Sequence, residues 1–147
     1  MSKITPFLWF EKDADEAAAF YVSVFEDAEI TGGMPGLTVS LRLFEQDVVL
    51  LNGGPQFPQT EAFSFVIDCE SQDEVDYYWD ALTADGGEES MCGWLKDKYG
   101  VSWQVTPRRL LELVQDPDPA RAQRAQAAMM KMQKIVISDL EAAADAA

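Results

Sequence analysis

Two stretches of this sequence carry the same roles 58 residues apart. Asp13 followed by Glu16 has the spacing of a capping box at a helix start, and Ser71 followed by Glu74 repeats it. Behind the first, Ala17, Phe20, Tyr21 and Val24 recur at the i, i+3, i+4 and i+7 positions of an amphipathic helix; behind the second, Val75, Tyr78, Trp79 and Leu82 do the same. An apolar strand precedes each helix, residues 3–10 in the first copy and the alternating Phe63, Phe65 and Ile67 in the second, with Phe65 in the register of Phe7. After the first helix come a short extended piece at residues 28–31, the loop GGMPG, and two strands, residues 37–44 and 47–52, across a turn at Glu45 and Gln46. After the second come Gly86, Gly87 and the stretch CGWLKDKYGVSWQV, residues 92–105, whose charged turn closes on Gly100 to make a hairpin. The chain is thus expected to be α+β: two tandem β-α-β-β-β modules, residues 3–53 and 62–106, joined by a Gly/Pro-rich linker, residues 54–61. One such module leaves a sheet face wet, so pairing two predicts a curled mixed sheet around a cleft, with the helices outside.

The last strand decides which side chains face which way. Val101, Trp103 and Val105 alternate with Ser102, Gln104 and Thr106, so the first set is expected under a helix and the second on the polar face, with Ser102 and Gln104 looking into the cleft. Beyond it the pattern turns helical. PRRLLELV follows Pro107, DPDP at residues 116–119 stops that helix and caps the next, and Ala122, Ala125, Met129, Met132 and Val136 form a narrow stripe three or four residues apart. This extension, residues 107–147, either packs on its own domain or serves as a dimer arm, with SDLEAAADAA as a short final helix or a frayed tail. The whole chain, 1–147, is expected to be a single domain.

Composition excludes several functions. The formal charge is −15, with ten acids and no base between Glu61 and Glu89, so the chain is expected to bind neither nucleic acid nor an anionic membrane and to favour cations on approach. There is no histidine, which removes the usual general base near neutral pH and the commonest metal ligand. The early apolar run has no basic region before it and is broken by Thr5 and Pro6, so it is neither signal nor span; with two cysteines and no export signal, the expected location is the cytoplasm. Cys92 has only Lys96 and Lys98 near it in sequence and reads as a packed thiol.

The tandem modules resemble the vicinal oxygen chelate superfamily of glyoxalases, extradiol dioxygenases and bleomycin-binding proteins. The strings PFLWF, FYVSVF, LLNGGP, CGWLKDKYGVSWQV and DPDPARAQ are similar to its PhnB-like group, labelled 3-demethylubiquinone-9 3-methyltransferase domain proteins. The resemblance implies metal-ligand positions at Pro6 or a neighbour, at Ala62 or Ser64, near Leu50 to Asn52, and at Gln104, where metal-dependent members carry Glu; none supplies a nitrogen or carboxylate. No metal and no cofactor are therefore expected, and no catalytic residue is assigned. The glycine-rich strand-turn-helix that would hold S-adenosylmethionine is missing too, since GGMPG and NGGP precede no helix. The expected function is metal-free binding of a small cationic or aromatic molecule by a homodimer, with Trp9, Asn52, Ser64, Trp94, Ser102 and Gln104 lining the site. A metal-dependent enzyme of the superfamily is the alternative, and the methyltransferase label is disfavoured.

Overall fold

Each expected module is a four-stranded mixed sheet with one helix in the computed structural model, which describes residues 3–146. The chain divides into two compact units, Met1–Gln59 and Thr60–Ala147. In the first, β1 (Phe7–Phe10), α1 (Ala14–Val24), β2 (Ala28–Met34), β3 (Thr38–Leu43) and β4 (Gln46–Asn52) give the strand order β1-β4-β3-β2. In the second, β5 (Ser64–Cys69), α2 (Gln72–Thr83), β6 (Glu88–Glu89), β7 (Trp94–Lys96) and β8 (Ser102–Pro107) give the matching order β5-β8-β7-β6. The first strand of each sheet runs parallel to the last, and the remaining pairs are antiparallel. In each unit the helix carries the chain from one edge strand to the opposite edge, and the two antiparallel turns that follow bring the last strand back beside the first, in the same direction.

The helices bury the stripes that the sequence marks. In α2, Val75, Tyr78, Trp79 and Leu82 are all buried; in α1, Ala17, Tyr21 and Val24 are buried with Ala14 and Ala18, while Phe20 is only half-buried. The helix-facing side of the second sheet holds Ile67, Cys69, Leu95, Trp103 and Val105, and that of the first holds Leu8, Phe10, Val39, Leu41, Val48 and Leu50. Val101, Trp103 and Val105 are on the dry side as expected.

Several local expectations change. The first strand is shorter, beginning at Phe7, and of the residues before it Pro6 still accepts from the Val49 amide (3.0 Å). The helices repeat at 58 residues, but the first strands do not: exposed Phe7 and buried Leu8 correspond to exposed Val66 and buried Ile67, not to Phe65 and Val66. The β1–α1 connection is one residue longer than β5–α2, and a slip of one residue exchanges the faces of a strand. The turn between β3 and β4 is Phe44–Glu45, since Leu43 pairs with Gln46, and β2 runs through Gly32 and Gly33 to Met34. At α1, Asp13 makes no side-chain cap; the Ala14 amide donates to Asn52 Oδ1 (2.8 Å) instead. At α2, Ser71 Oγ accepts from the Glu74 amide (3.2 Å) and Glu74 Oε1 from the Glu70 amide (2.8 Å), close to the capping box expected.

The extension forms three helices, α3 (Arg108–Val114), α4 (Pro119–Met129) and α5 (Ile137–Asp145), which bury Leu110, Leu113, Ala125, Ile135, Leu140 and Ala144 among themselves. Asp118 caps α4 through the Ala120 amide (3.0 Å) ahead of Pro119. The stripe through Met132 and Val136 does not continue as helix, because the carbonyls of Met132 and Gln133 accept instead from the amides of Cys92 and Gly93 (2.7 and 2.8 Å). Arg124 and Arg121 donate to the Ala144 carbonyl at the end of α5, where unpaired carbonyls and the helix dipole favour a cation. No helix among the described residues is long and apolar enough to cross a membrane.

Candidate functional site

The hairpin β7–β8 is built around one buried carboxylate. Asp97 Oδ1 accepts from the amides of Tyr99 (2.8 Å) and Val101 (3.1 Å), and Oδ2 accepts from the Trp103 indole (2.8 Å). The turn is closed by Gly100 N donating to Asp97 O. With the turn locked, β8 presents Trp103 and Val105 to α2 and Ser102, Gln104 and Thr106 to the opposite face, while Trp94 and Gln104 are Cα partners across the ladder.

On that face Gln104 Nε2 donates to Ser64 Oγ (2.9 Å), which joins two of the expected site residues. The Gln104 side-chain carbonyl has no hydrogen bond among the described residues. Ser102 is paired in register with both Ser64 and Lys96, is 1% exposed, and its hydroxyl has no hydrogen-bond partner among the described residues. The Lys96 ammonium meets Glu61 Oε1 at 2.6 Å, so the ion pair runs from β7 to the approach of β5, across β8 where Ser102 lies. Their hydrogen bond, with the attraction between opposite charges, holds the Glu61 carboxyl below its ordinary range and raises Lys96.

Beside these residues a cavity of about 430 Å³ opens between the hairpin and the C-terminal helices. Cys92, Trp94, Gln104 and Thr106 form its sheet side, and Leu110, Leu111, Val114, Gln126 and Met129 form its helical side. Trp94 and Gln104 are therefore brought together in the lining of one cavity, Ser64 is one hydrogen bond from it, and Ser102 lies on the same face but outside the lining. The other two candidates have local work in the first unit. Trp9 donates to the Gly54 carbonyl (2.8 Å), stacks edge-on with Phe57 (centroids 4.9 Å apart) and covers Gly53 so closely that a Cβ there would overlap the indole. Asn52 is the cap of α1 and also donates to the Gly36 carbonyl.

Cys92 is half-buried at the cavity edge, 3.8 Å from Met130 Sδ, whereas Cys69 is fully buried and its thiol is pushed up to about 12, first by burial and then by Glu74 and Asp68. The alternation of β8 was signal enough to find Thr106. The helical side had none, because a periodic stripe says which residues are covered and not what covers them.

A divalent metal does not fit the positions that the resemblance implies. Gln104 offers a neutral amide, Ser64 a hydroxyl already accepting a hydrogen bond, and Asn52 Oδ1 is committed to α1. The ladder also moves the first-unit counterpart of Gln104 to Val49, since Phe7 pairs with Val49 as Val66 pairs with Gln104. Among the described residues no group of three His, Cys, Asp or Glu stands as it would around a metal ion.

Comparison with known proteins places the fold. The family model for 3-demethylubiquinone-9 3-methyltransferase matches residues 2–106. A solved structure from Bacillus cereus, described as a putative 3-demethylubiquinone-9 3-methyltransferase, PhnB protein, is 33% identical, with 72% of this chain and 99% of that one aligned at a TM-score of 0.65. A Pseudomonas aeruginosa protein is 21% identical over 73% of this chain and 98% of its own, with a TM-score of 0.60. A fosfomycin resistance protein from Listeria monocytogenes, solved with Mn(II) and sulfate, is 18% identical over 70% of this chain and 85% of its own, with a TM-score of 0.51. No curated protein matches. The match over most of the chain and the Bacillus relative agree with the sheets and their order: the chain belongs to the 3-demethylubiquinone-9 3-methyltransferase family.

Proposed function

We propose that this protein binds a small organic molecule reversibly and without a metal, in the cavity of its second unit, as a cytoplasmic homodimer. The observation that carries the reading is the cavity of about 430 Å³ on the sheet face that bears Trp94 and Gln104. Its size is within the range of small-molecule sites, and it combines the Trp94 ring and aliphatic side chains with polar groups at Gln104, Thr106 and Gln126, which is how such sites gain affinity and orientation together. Gln104 is held by Ser64 through its amide nitrogen, so its carbonyl is set to accept a hydrogen bond from a ligand without first reorganising. The homodimer is supported by the exposed Phe7 and Val66 at equivalent places on β1 and β5, each at a sheet edge.

The methyl transfer that the family's name implies finds little to act through. The connections into α1 and α2 contain no glycine, so neither helix start offers the glycine-rich turn that would cradle S-adenosylmethionine. Native mass spectrometry of the protein as purified tests the reading, with equilibrium dialysis against zinc, nickel, manganese and iron. A small organic mass retained at one per chain is the expected result. Tight binding of one metal ion per chain overturns the metal-free claim, and sedimentation that shows only monomer at all loadings overturns the dimer.

A further inference from the structure

We propose that the C-terminal extension is the selective wall of this cavity and makes it a site for a neutral aromatic molecule that donates one hydrogen bond. The inference rests on the binding reading above and adds to it both the class of ligand and the part of the chain that selects it. The family match stops at residue 106, and α3 begins at Arg108. Five of the nine lining residues, Leu110, Leu111, Val114, Gln126 and Met129, lie in the extension, so this cavity has only its sheet side without it.

That wall is fixed in place. Besides the amides of Cys92 and Gly93 donating to Met132 and Gln133, Gln72 at the start of α2 donates to the Ile135 carbonyl (3.0 Å) and accepts from the Ile137 amide (2.8 Å). Lys134 meets Asp76 at 2.9 Å. A side chain at Gly93 would be strained, since its φ is +83° and a Cβ would come 3.0 Å from both Ile135 Cγ1 and the Val105 carbonyl. The extension thus grips the same hairpin that supplies the sheet side of the cavity, and its own core keeps α3 and α4 together above it.

The lining decides the ligand. In a chain of formal charge −15, none of the nine lining side chains is charged. An ion entering would leave water and meet no counter-charge, whereas an aromatic ring meets Trp94, Leu111, Val114 and Met129. Leu111 is 45% exposed, an apolar side chain at the open edge whose contact area a ligand would complete. The free Gln104 carbonyl accepts the single donor.

The test titrates the full-length protein, at about 150 mM salt, with three fluorescent aromatic probes. These are neutral N-phenyl-1-naphthylamine, cationic 9-aminoacridine and anionic 1-anilinonaphthalene-8-sulfonate. The expected result is one site per chain with a preference for the neutral probe of about tenfold or more over both ions. Leu111→Glu and the isosteric, surface Gln126→Glu should each weaken the neutral probe and strengthen the cation, and circular dichroism should show both variants folded. If both leave the order of the three probes unchanged while Trp94→Leu abolishes binding, the wall proposal is overturned and the binding reading stands. If Trp94→Leu and Gln104→Leu leave the neutral probe unaffected, the binding reading itself falls. A wild-type preference for the cation overturns the ligand class, and failure to bind any of the three overturns both.

Discussion

Asp97 shows how much one side chain can fix. A charged residue in a short turn between strands reads as surface, yet its two oxygens take three donors and the residue is 3% exposed. Replacing it with Ala would strand two amides and an indole N–H in a dry turn, and hydrogen bonds to a charged acceptor are the strong kind. Asp97→Ala should therefore cost about 3 kcal/mol, read by urea unfolding, with Asp97→Asn intermediate. The two thiols should differ as sharply. Cys92 should react with iodoacetamide in the native protein and Cys69 only after unfolding. Because the folded Cys69 thiol is raised above its ordinary 9.0 to about 12, folding favours its protonated form. Its contribution is complete below pH 9 and is lost as pH rises toward 12, so Cys69→Ala should show a shallower loss of stability over that window than the parent protein. Single residues were the least legible level of this sequence. Asn52 and Trp9 looked like ligand contacts because they sit at a strand end and on a strand; that one caps a helix and the other covers a glycine loop depends on pairings 38 and 45 residues distant.

Elements were far more legible, because helices and strands bury faces and faces have periods. The two helices, the β-α-β-β-β succession of elements and the hairpin all follow from alternation and capping spacing. What failed was phase: one extra residue before α1 shifts β1 against β5, and no periodic signal reports the length of a connection. The capping partner of α1 failed for a related reason, since the box spacing at Asp13 and Glu16 is present but the end of β4 arrives there first. Asn52→Ala should destabilise the first unit by about 1 kcal/mol, while Asn52→Asp, which retains the acceptor beside the positive end of the helix, should recover most of it. Thermal unfolding of the three proteins measures this. In the second unit Gln72 ties α2 to the segment that enters α5, through both ends of its amide. Gln72→Ala should speed amide hydrogen exchange in residues 135–146 more than in α2 itself, and equal acceleration of both would show that the tie serves the helix and not the extension.

At the scale of the molecule the dominant quantity is charge. An excess of fifteen acids repels itself in the folded chain, while ion pairs such as Arg42–Asp27 (2.9 Å), Arg108–Asp68 (3.0 Å) and Arg109–Glu141 (3.0 Å) join partly exposed side chains. Exposed pairs of this kind contribute about 0–1 kcal/mol each and salt weakens them, so the two effects oppose. The repulsion involves the whole excess of acids, and in the run from Glu61 to Glu89, which has no base within it, Glu61, Asp68, Glu70 and Asp76 meet bases from outside while the excess remains, so screening should relieve more than it removes. The melting temperature should rise by about 2–5 °C between roughly 10 mM and 300 mM sodium chloride. A fall over that range would mean that the pairs outweigh the excess. The same field separates the surface from the cavity. Cations should gather near the chain with an affinity that drops as salt screens the acids, but the cavity lining is uncharged, so binding of a neutral aromatic probe there should be unchanged over the same salt range. Titration of N-phenyl-1-naphthylamine at the two salt concentrations measures this directly, and an affinity that falls with salt would place the probe among the surface acids and not beside Trp94.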